Sequence, residues 1–277
     1  MAKSRATKVA REAVACRKMA GVMRRWIVEQ SLASNVGHIG SALSITDIVA
    51  VLWHNIMRNP GTADPARDRF ILAKGHAVLA LYCALRFKGL LGEGLFKTYC
   101  GDGSALGAHP EHTLSGVDLS TGSLGLSLSV GCGLAYAFRQ KKSPARVYAL
   151  VSDAECNEGQ MWEAAMFAAH HGLSALTVVV DLNGSQAMGN TREIIRIEQR
   201  GLWQALGWNV LETDGHSAES LLAAFRSNPL PPRPKVVLAT TVLGKGVSFM
   251  ENRFEWHYRN LTPEQAAQAL RELEDRQ

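Results

Sequence analysis

Asp153 and Asn183 stand 30 positions apart, and each comes at the end of an apolar run that reads as a buried strand. A carboxylate and an amide oxygen delivered side by side are hard oxygen ligands, suited to magnesium, with calcium or manganese as substitutes, rather than to zinc or copper. Magnesium keeps an octahedral shell and usually shares it with phosphate oxygens, so two side chains and one backbone carbonyl leave room for a diphosphate. A structural reading competes: Asp153 can cap the following helix and Asn183 can turn the chain with Gly184. Spacing alone does not decide between them. Asp181, Asn183 and Ser185 also alternate as in a calcium loop, but the sharp-turn position holds Gln186 instead of Gly and the twelfth holds Arg192 instead of Glu. The GxxxxGK[ST] phosphate loop is absent.

The elements that must position these residues follow from periodicity. Strand Arg146–Val151, an acidic turn Asp153–Glu158, helix Gly159–His171, strand Ala175–Val180 and turn Asp181–Ser185 make a strand, helix, strand unit with the crossover length that a parallel pair needs. Upstream, helical spacing from Val9 to Gln30 stops near Ser34, Asn35 and Gly37, and a second helix is expected from Ile45 to Met57 with Ser44 as its cap. Arg69–Ala73 reads as a short buried strand opening into a helix from Ala77 to Phe87. Residues 101–133 are glycine-rich, with Gly122, Gly125, Gly131 and Gly133 leading into a helix expected from Leu134 to Gln140. Strands Trp208–Glu212 and Lys235–Thr241 flank a helix Ser217–Ser227, and the short Pro229–Pro234 segment connects helix to strand. Thr262 and Pro263 open a charged final helix. The economical architecture is α/β: one domain over residues 1–277 with a doubly wound, mostly parallel sheet and helices on both faces, an N-terminal helix within 1–33 and a C-terminal helix over 262–277.

Composition bounds the functions available. The 277 residues are 47% hydrophobic and 20% charged with a formal net charge of +5, enough apolar matter for one large core. Apart from the basic start (Lys3, Arg5, Lys8, Arg11, Arg17, Lys18, Arg24, Arg25), Lys and Arg are spread along the chain. That start reads as a solvated helix face and not as a nucleic-acid arm. A transit segment would share its acid-poor character, but would be Ser-rich and followed by a change of composition. No apolar run reaches the length of a membrane span and no signal-peptide pattern opens the chain, so no membrane partner and a cytoplasmic location are expected. The five cysteines (Cys16, Cys83, Cys100, Cys132, Cys156) are scattered and never spaced as CxxC, which points to reduced, mostly buried thiols.

The segment Ser152-Asp153-Ala154-Glu155-Cys156-Asn157-Glu158-Gly159, followed by Asn183-Gly184, resembles the cofactor motif of thiamine-diphosphate enzymes, GDG with an Asn about thirty residues later. Within that group the chain is similar to the transketolases. Gly37-His38-Ile39-Gly40, Ala73-Lys74-Gly75-His76, Gly107-Ala108-His109, Ser120-Thr121-Gly122-Ser123-Leu124-Gly125, Thr213-Asp214-Gly215-His216 and Glu255-Trp256-His257 each match a transketolase segment in the same order. Gly101-Asp102-Gly103 looks like part of the motif but has no Asn at the needed distance, and is a decoy. The resemblance implies thiamine diphosphate with Mg2+ held by Asp153, Asn183 and the backbone carbonyl of Ser185. It implies diphosphate contacts from His76 and His257, with His38 and His109 facing the reacting carbon and the substrate hydroxyls. Gly122, Ser123 and Leu124 would meet the aminopyrimidine, and Ala154 and Glu158 would stand beside the cofactor, Glu158 and Glu163 near a subunit interface. His216 is expected to make a structural turn contact.

Departures qualify the match. Ser152 and Ala154 replace the two glycines of GDG and are expected to crowd the diphosphate, so that restoring both glycines would bind cofactor at least as well. A Lys common in the family is Thr240 here, with Lys245 as its expected replacement, and the usual Pro of the first histidine motif is Ile39. The resemblance covers only the diphosphate-binding part. It implies a separate partner, a C-terminal subunit carrying the pyrimidine-binding domain and the activating Glu, in a heterotetramer with two copies of each chain. The implied activity is transfer of a two-carbon ketol unit from a ketose or ketose phosphate to an aldose. The alternatives are a deoxyxylulose-phosphate synthase-like or dehydrogenase-like activity, or a cofactor-binding subunit without catalysis.

Overall fold

Near-continuous Val, Leu and Ala runs cannot line a sheet with one wet face, so their strands must be covered on both sides. The computed structural model describes residues 2–187, 189–227 and 233–275. Its strands are β1 (Arg69–Leu72), β2 (Val147–Ser152), β3 (Leu176–Leu182), the small antiparallel hairpin β4 (Ser185–Gln186) and β5 (Gly189–Asn190), β6 (Asn209–Asp214) and β7 (Lys235–Thr240). The main sheet runs β1-β2-β3-β7-β6 with every neighbouring pair parallel. All five carboxyl ends therefore open on one edge, where doubly wound sheets place their ligands.

Strand residues alternate between two cores, as the pleat requires. Val147, Ala149, Val151, Val178, Val180, Val236 and Leu238 face one layer, containing α6 (Leu126–Gln140), α7 (Gly159–His170) and α9 (Gln199–Ala205). Tyr148, Leu150, Val179, Val237 and Ala239 face the other. That layer holds α1 (Ala2–Ser34), α2 (Ile39–Ser44), α3 (Thr46–Val51), α4 (Val78–Phe87), α10 (Ala218–Arg226) and α11 (Pro263–Glu274). Two single-turn helices, α5 (Glu93–Phe96) and α8 (Thr191–Ile194), complete the set. Thr262 accepts from the Gln265 N–H and Gln265 answers it, the capping box that starts α11. No helix among the described residues is long and apolar enough to cross a membrane.

Three expectations are corrected. The helix expected from Ile45 with Ser44 as cap is instead α2 followed by α3, which runs on through a wide turn at Leu52–Ile56. Ser44 is wholly buried inside α2, its hydroxyl committed to Asp181, so it is no cap. The helix expected from Leu134 begins at Leu126: Gly131 lies inside it, where a Cβ would stand 3.5 Å from Leu176 and 3.6 Å from Ile71, so this glycine brings helix and sheet together rather than marking a loop. The basic start is not solvated throughout, because Arg24 forms an ion pair with the buried Asp47 and donates to the Lys245 carbonyl. Most of the Pro229–Pro234 connection lies outside the described residues.

Candidate cofactor site

Strand β2 delivers Asp153 and β3 delivers Asn183 to the same edge, because Ser152 pairs with Asp181 in register. Asp153 is buried; its Oδ1 accepts from the Ala154 N–H at 2.9 Å and its Oδ2 from the Gly184 N–H at 2.8 Å, which locks the two turns together. Asn183 Oδ1 accepts from the Ser185 N–H at 2.9 Å. Burial pushes the Asp153 carboxyl up to about 7, and the neighbouring Asp181 adds to the push. A bound cation would reverse both effects.

Beneath these residues lies a polar network that the sequence did not reveal. Asp181, fully buried, accepts from Lys74 Nζ at 2.5 Å, from the Ser44 hydroxyl at 2.8 Å, from Asn183 Nδ2 at 2.9 Å and from Thr241. A buried ion pair is tolerable only when its remaining lone pairs are satisfied, and four donors do that here. Asn183 donates into this network, which turns its amide oxygen away from Asp181. Lys74 follows directly on the apolar Phe70–Ala73 run, and a charge so placed must find a buried partner. That signal was available in the sequence.

Three histidines converge beside the carboxylate. His38, His76 and His257 have ring centroids 5.2 Å apart for His38 with His76, 5.2 Å for His38 with His257, and 4.8 Å for His76 with His257. The backbone allows this because Gly37 leaves no room for a side chain: a Cβ there would stand 2.5 Å from the Tyr258 carbonyl oxygen. His38 adopts a left-handed backbone (φ 67), uncommon outside glycine, and its Nδ1 is buried without a partner. Burial lowers the pKa of all three rings. In His38 the nearby His109 adds to this, in His76 Lys74 and the other histidines add, and His257 falls to about 4 with His38 and then Lys74 contributing. The rings are neutral at physiological pH, each keeping one N–H to donate and one nitrogen to accept.

His109 is exposed and packs on the backbone of two glycines, its Cδ2 lying 2.9 Å from a Cβ built on Gly75 and 3.0 Å from one built on Gly122. Gly122, Ser123 and Leu124 are exposed beside it. Ala154 stays next to Asp153, whereas Glu158 lies exposed at the start of α7 against Gly125, and Glu163 is exposed on α7. His216 is structural, as expected: its Nδ1 meets Asp47 at 2.8 Å and its Nε2 accepts from the Val242 N–H at 2.9 Å. Lys245 does not replace the family's lysine, since its ammonium turns to Glu251 at 3.6 Å. Thr240 instead lines a cavity of about 290 Å³ with Asp153, Gly184, Arg192 and Arg196.

The donor set fits a magnesium–diphosphate group. Among the described residues no three His, Cys, Asp or Glu side chains gather as a metal cage, so a fully protein-coordinated zinc or calcium is not built. One carboxylate, one amide oxygen and a turn carbonyl leave coordination positions for phosphate oxygens. The unpartnered His38 nitrogen and Ser185 hydroxyl are buried polar atoms that a polar ligand could satisfy.

Known proteins share this geometry. The family described as transketolase, thiamine diphosphate binding domain, matches residues 16–274. One of the two subunits of the apulose-4-phosphate transketolase of Phocaeicola vulgatus is 37% identical over 257 residues, covering 91% of this chain and 92% of that one. The 6-deoxy-6-sulfo-D-fructose transketolase subunit SqwG of Clostridium sp. (strain MSTE9) is 37% identical over 262 residues, covering 92% and 94%. The solved transketolase of Campylobacter jejuni superposes with a TM-score of 0.89 at 26% identity, over 94% of this chain and 42% of that one. That of Leishmania mexicana gives 0.88 at 27% identity, over 94% and 41%. The chain thus spans about two-fifths of the solved transketolases and nearly the whole of the separate subunits. With family match, full-length relatives and fold in agreement, this chain belongs to the transketolase family as its N-terminal, thiamine-diphosphate-binding subunit.

Proposed function

We propose that this chain supplies the metal and diphosphate half of a transketolase active site and works with a separate subunit that supplies the pyrimidine-binding half. The observation that carries the reading is the meeting of Asp153, Asn183 and the Ser185 turn with His38, His76 and His257. Asp153, Asn183 and the Ser185 carbonyl hold Mg2+, and the neutral His76 and His257 donate N–H groups to the diphosphate. Ala154 and Glu158 border the cofactor, and Gly122, Ser123 and Leu124 present their backbone to its aminopyrimidine. Bound thiamine diphosphate supplies the electron sink for carbon–carbon bond cleavage. The protein's own part is to orient, to exclude water and to move protons. His38, held in a strained conformation with a free nitrogen, and the accessible His109 are placed to donate to or accept from the hydroxyls of a ketose or aldose.

The substrate class is a ketose donor and an aldose acceptor, free or phosphorylated. The partner reading is supported by the relatives of matching length that are named as subunits. Two copies of each chain about a two-fold axis is the symmetric way to assemble such a pair, and the whole chain acts as one domain, in the cytoplasm. Calorimetric titration with thiamine diphosphate, with and without Mg2+, tests the site. Magnesium-dependent binding is expected, and binding indifferent to Mg2+ would contradict it.

A further inference from the structure

By its place in the motif, Ser152 is expected to crowd the diphosphate. Its hydroxyl is instead used: Ser152 is buried and its Oγ accepts from the Glu155 N–H at 3.0 Å. Glu155 is wholly buried, and its Oε1 accepts from the Gly125 N–H at 2.8 Å. Gly125 ends the exposed Gly122, Ser123, Leu124 segment and has a left-handed backbone (φ 85), with a Cβ position only 2.8 Å from that of Glu158. At its other end the segment is tied to the sheet edge, where the Thr121 hydroxyl donates to the Leu72 carbonyl at 2.6 Å. Three exposed residues therefore hang between a tie to β1 and a tie to the turn that follows β2.

Stability alone does not account for Glu155. Its second oxygen, Oε2, is buried with no partner, and a half-satisfied buried carboxyl is a liability that an apolar residue would avoid. What the carboxyl does achieve is a fixed distance between two backbone segments that belong to different parts of the site.

We infer that Ser152, Glu155 and Gly125 form a positioning relay that ties the metal-holding turn to the Gly122–Leu124 segment, Glu155 setting where that backbone stands against the cofactor's aminopyrimidine. The inference rests on the proposed cofactor reading. Glu155 is a positioning residue: it acts through Gly125. Ser152 fixes the turn from which Glu155 projects, so the departure from GDG is a retuning of the motif, not a loss.

The test compares the full chain with Glu155→Ala, Glu155→Gln and Ser152→Gly by calorimetry against two probes, Mg2+ with inorganic pyrophosphate and Mg2+ with thiamine diphosphate, with thermal midpoints recorded. Pyrophosphate reads the metal turn alone, and the intact cofactor reads the turn and the aminopyrimidine segment together. Glu155→Ala should bind thiamine diphosphate about tenfold more weakly, the loss expected for one hydrogen bond to a charged acceptor, and keep its pyrophosphate affinity within about twofold. Glu155→Gln keeps an acceptor for the Gly125 N–H and should retain cofactor affinity within about twofold even though its melting point falls. Ser152→Gly should lose cofactor affinity in the same direction as Glu155→Ala, by less. Undiminished cofactor binding in Glu155→Ala, equal losses for both probes, or failure of Glu155→Gln to rescue would each overturn the relay. A parent chain that binds pyrophosphate but gains nothing from the thiamine moiety would also overturn it while leaving the metal turn intact. A parent chain that binds neither probe would overturn the cofactor reading, and the relay with it.

Discussion

A single carboxylate, Asp153, carries most of the site's electrostatics. Asp153→Ala or Asn183→Ala should remove Mg2+-dependent cofactor binding and leave the circular dichroism spectrum and melting point close to the parent's. Both side chains sit at strand ends, and loss of a charged contact costs about 1.5 to 3 kcal/mol. Unchanged affinity in either variant would refute the metal assignment. The raised Asp153 also sets a pH dependence: between its ordinary value of 3.8 and about 7, the folded chain holds a proton that the unfolded chain has released. The empty site's contribution to stability therefore falls as pH rises through that window. Metal binding needs the proton gone, so Mg2+–cofactor affinity should rise as pH climbs from about 5.5 toward about 7 and level off above it, with proton release visible in buffers of different ionisation enthalpy. A flat profile would show that Asp153 is not the ligand. Asp153 and Asn183 were legible in the sequence because each ends an apolar run. Glu155 was not, because an acid in the first turns before a helix is also what the helix dipole favours, and only coordinates show it buried with its oxygen on Gly125.

At the scale of elements, the sheet was readable and its helical cover less so. Strands buried on both faces announce themselves as unbroken apolar runs, and the β2–α7–β3 unit appeared within two residues of its expected bounds. Glycines misled in α6, since a glycine chosen for close packing and one chosen for a loop look alike in sequence. The segment after Asn183 carries too little periodicity to show the β4–β5 hairpin, α8 or α9. The joint between α1, α3 and the loop after β6 was also hidden, as it depends on three distant residues. Burial pushes the Asp47 carboxyl up, yet Arg24 and then His216 hold it down at about 2. Its stabilising contribution is thus complete above pH 3.8 and is lost as pH falls through about 2. Asp47→Ala should lower stability by about 3 kcal/mol at neutral pH, because it strands a buried guanidinium and frees the ring that holds the Val242 N–H. A denaturation midpoint equal to the parent's would show that this joint carries no load.

For the whole molecule, parallel strands deliver every site residue to one edge, and that edge opens outward. His109, the Gly122–Leu124 segment and Tyr258 are exposed there, which suits a cofactor closed over by a second protein. The resemblance pointed to a two-subunit enzyme; neither periodicity nor composition could have done so, since they report on burial within one chain. The most direct measurement is a ketose-plus-aldehyde transfer assay on the purified chain, on its pyrimidine-domain partner and on their mixture, with mass determined in solution. Transfer should appear only in the mixture, together with a complex containing both chains and dependent on thiamine diphosphate and Mg2+. Robust turnover by this chain alone, or none by a complex that has formed and bound cofactor, would contradict the account.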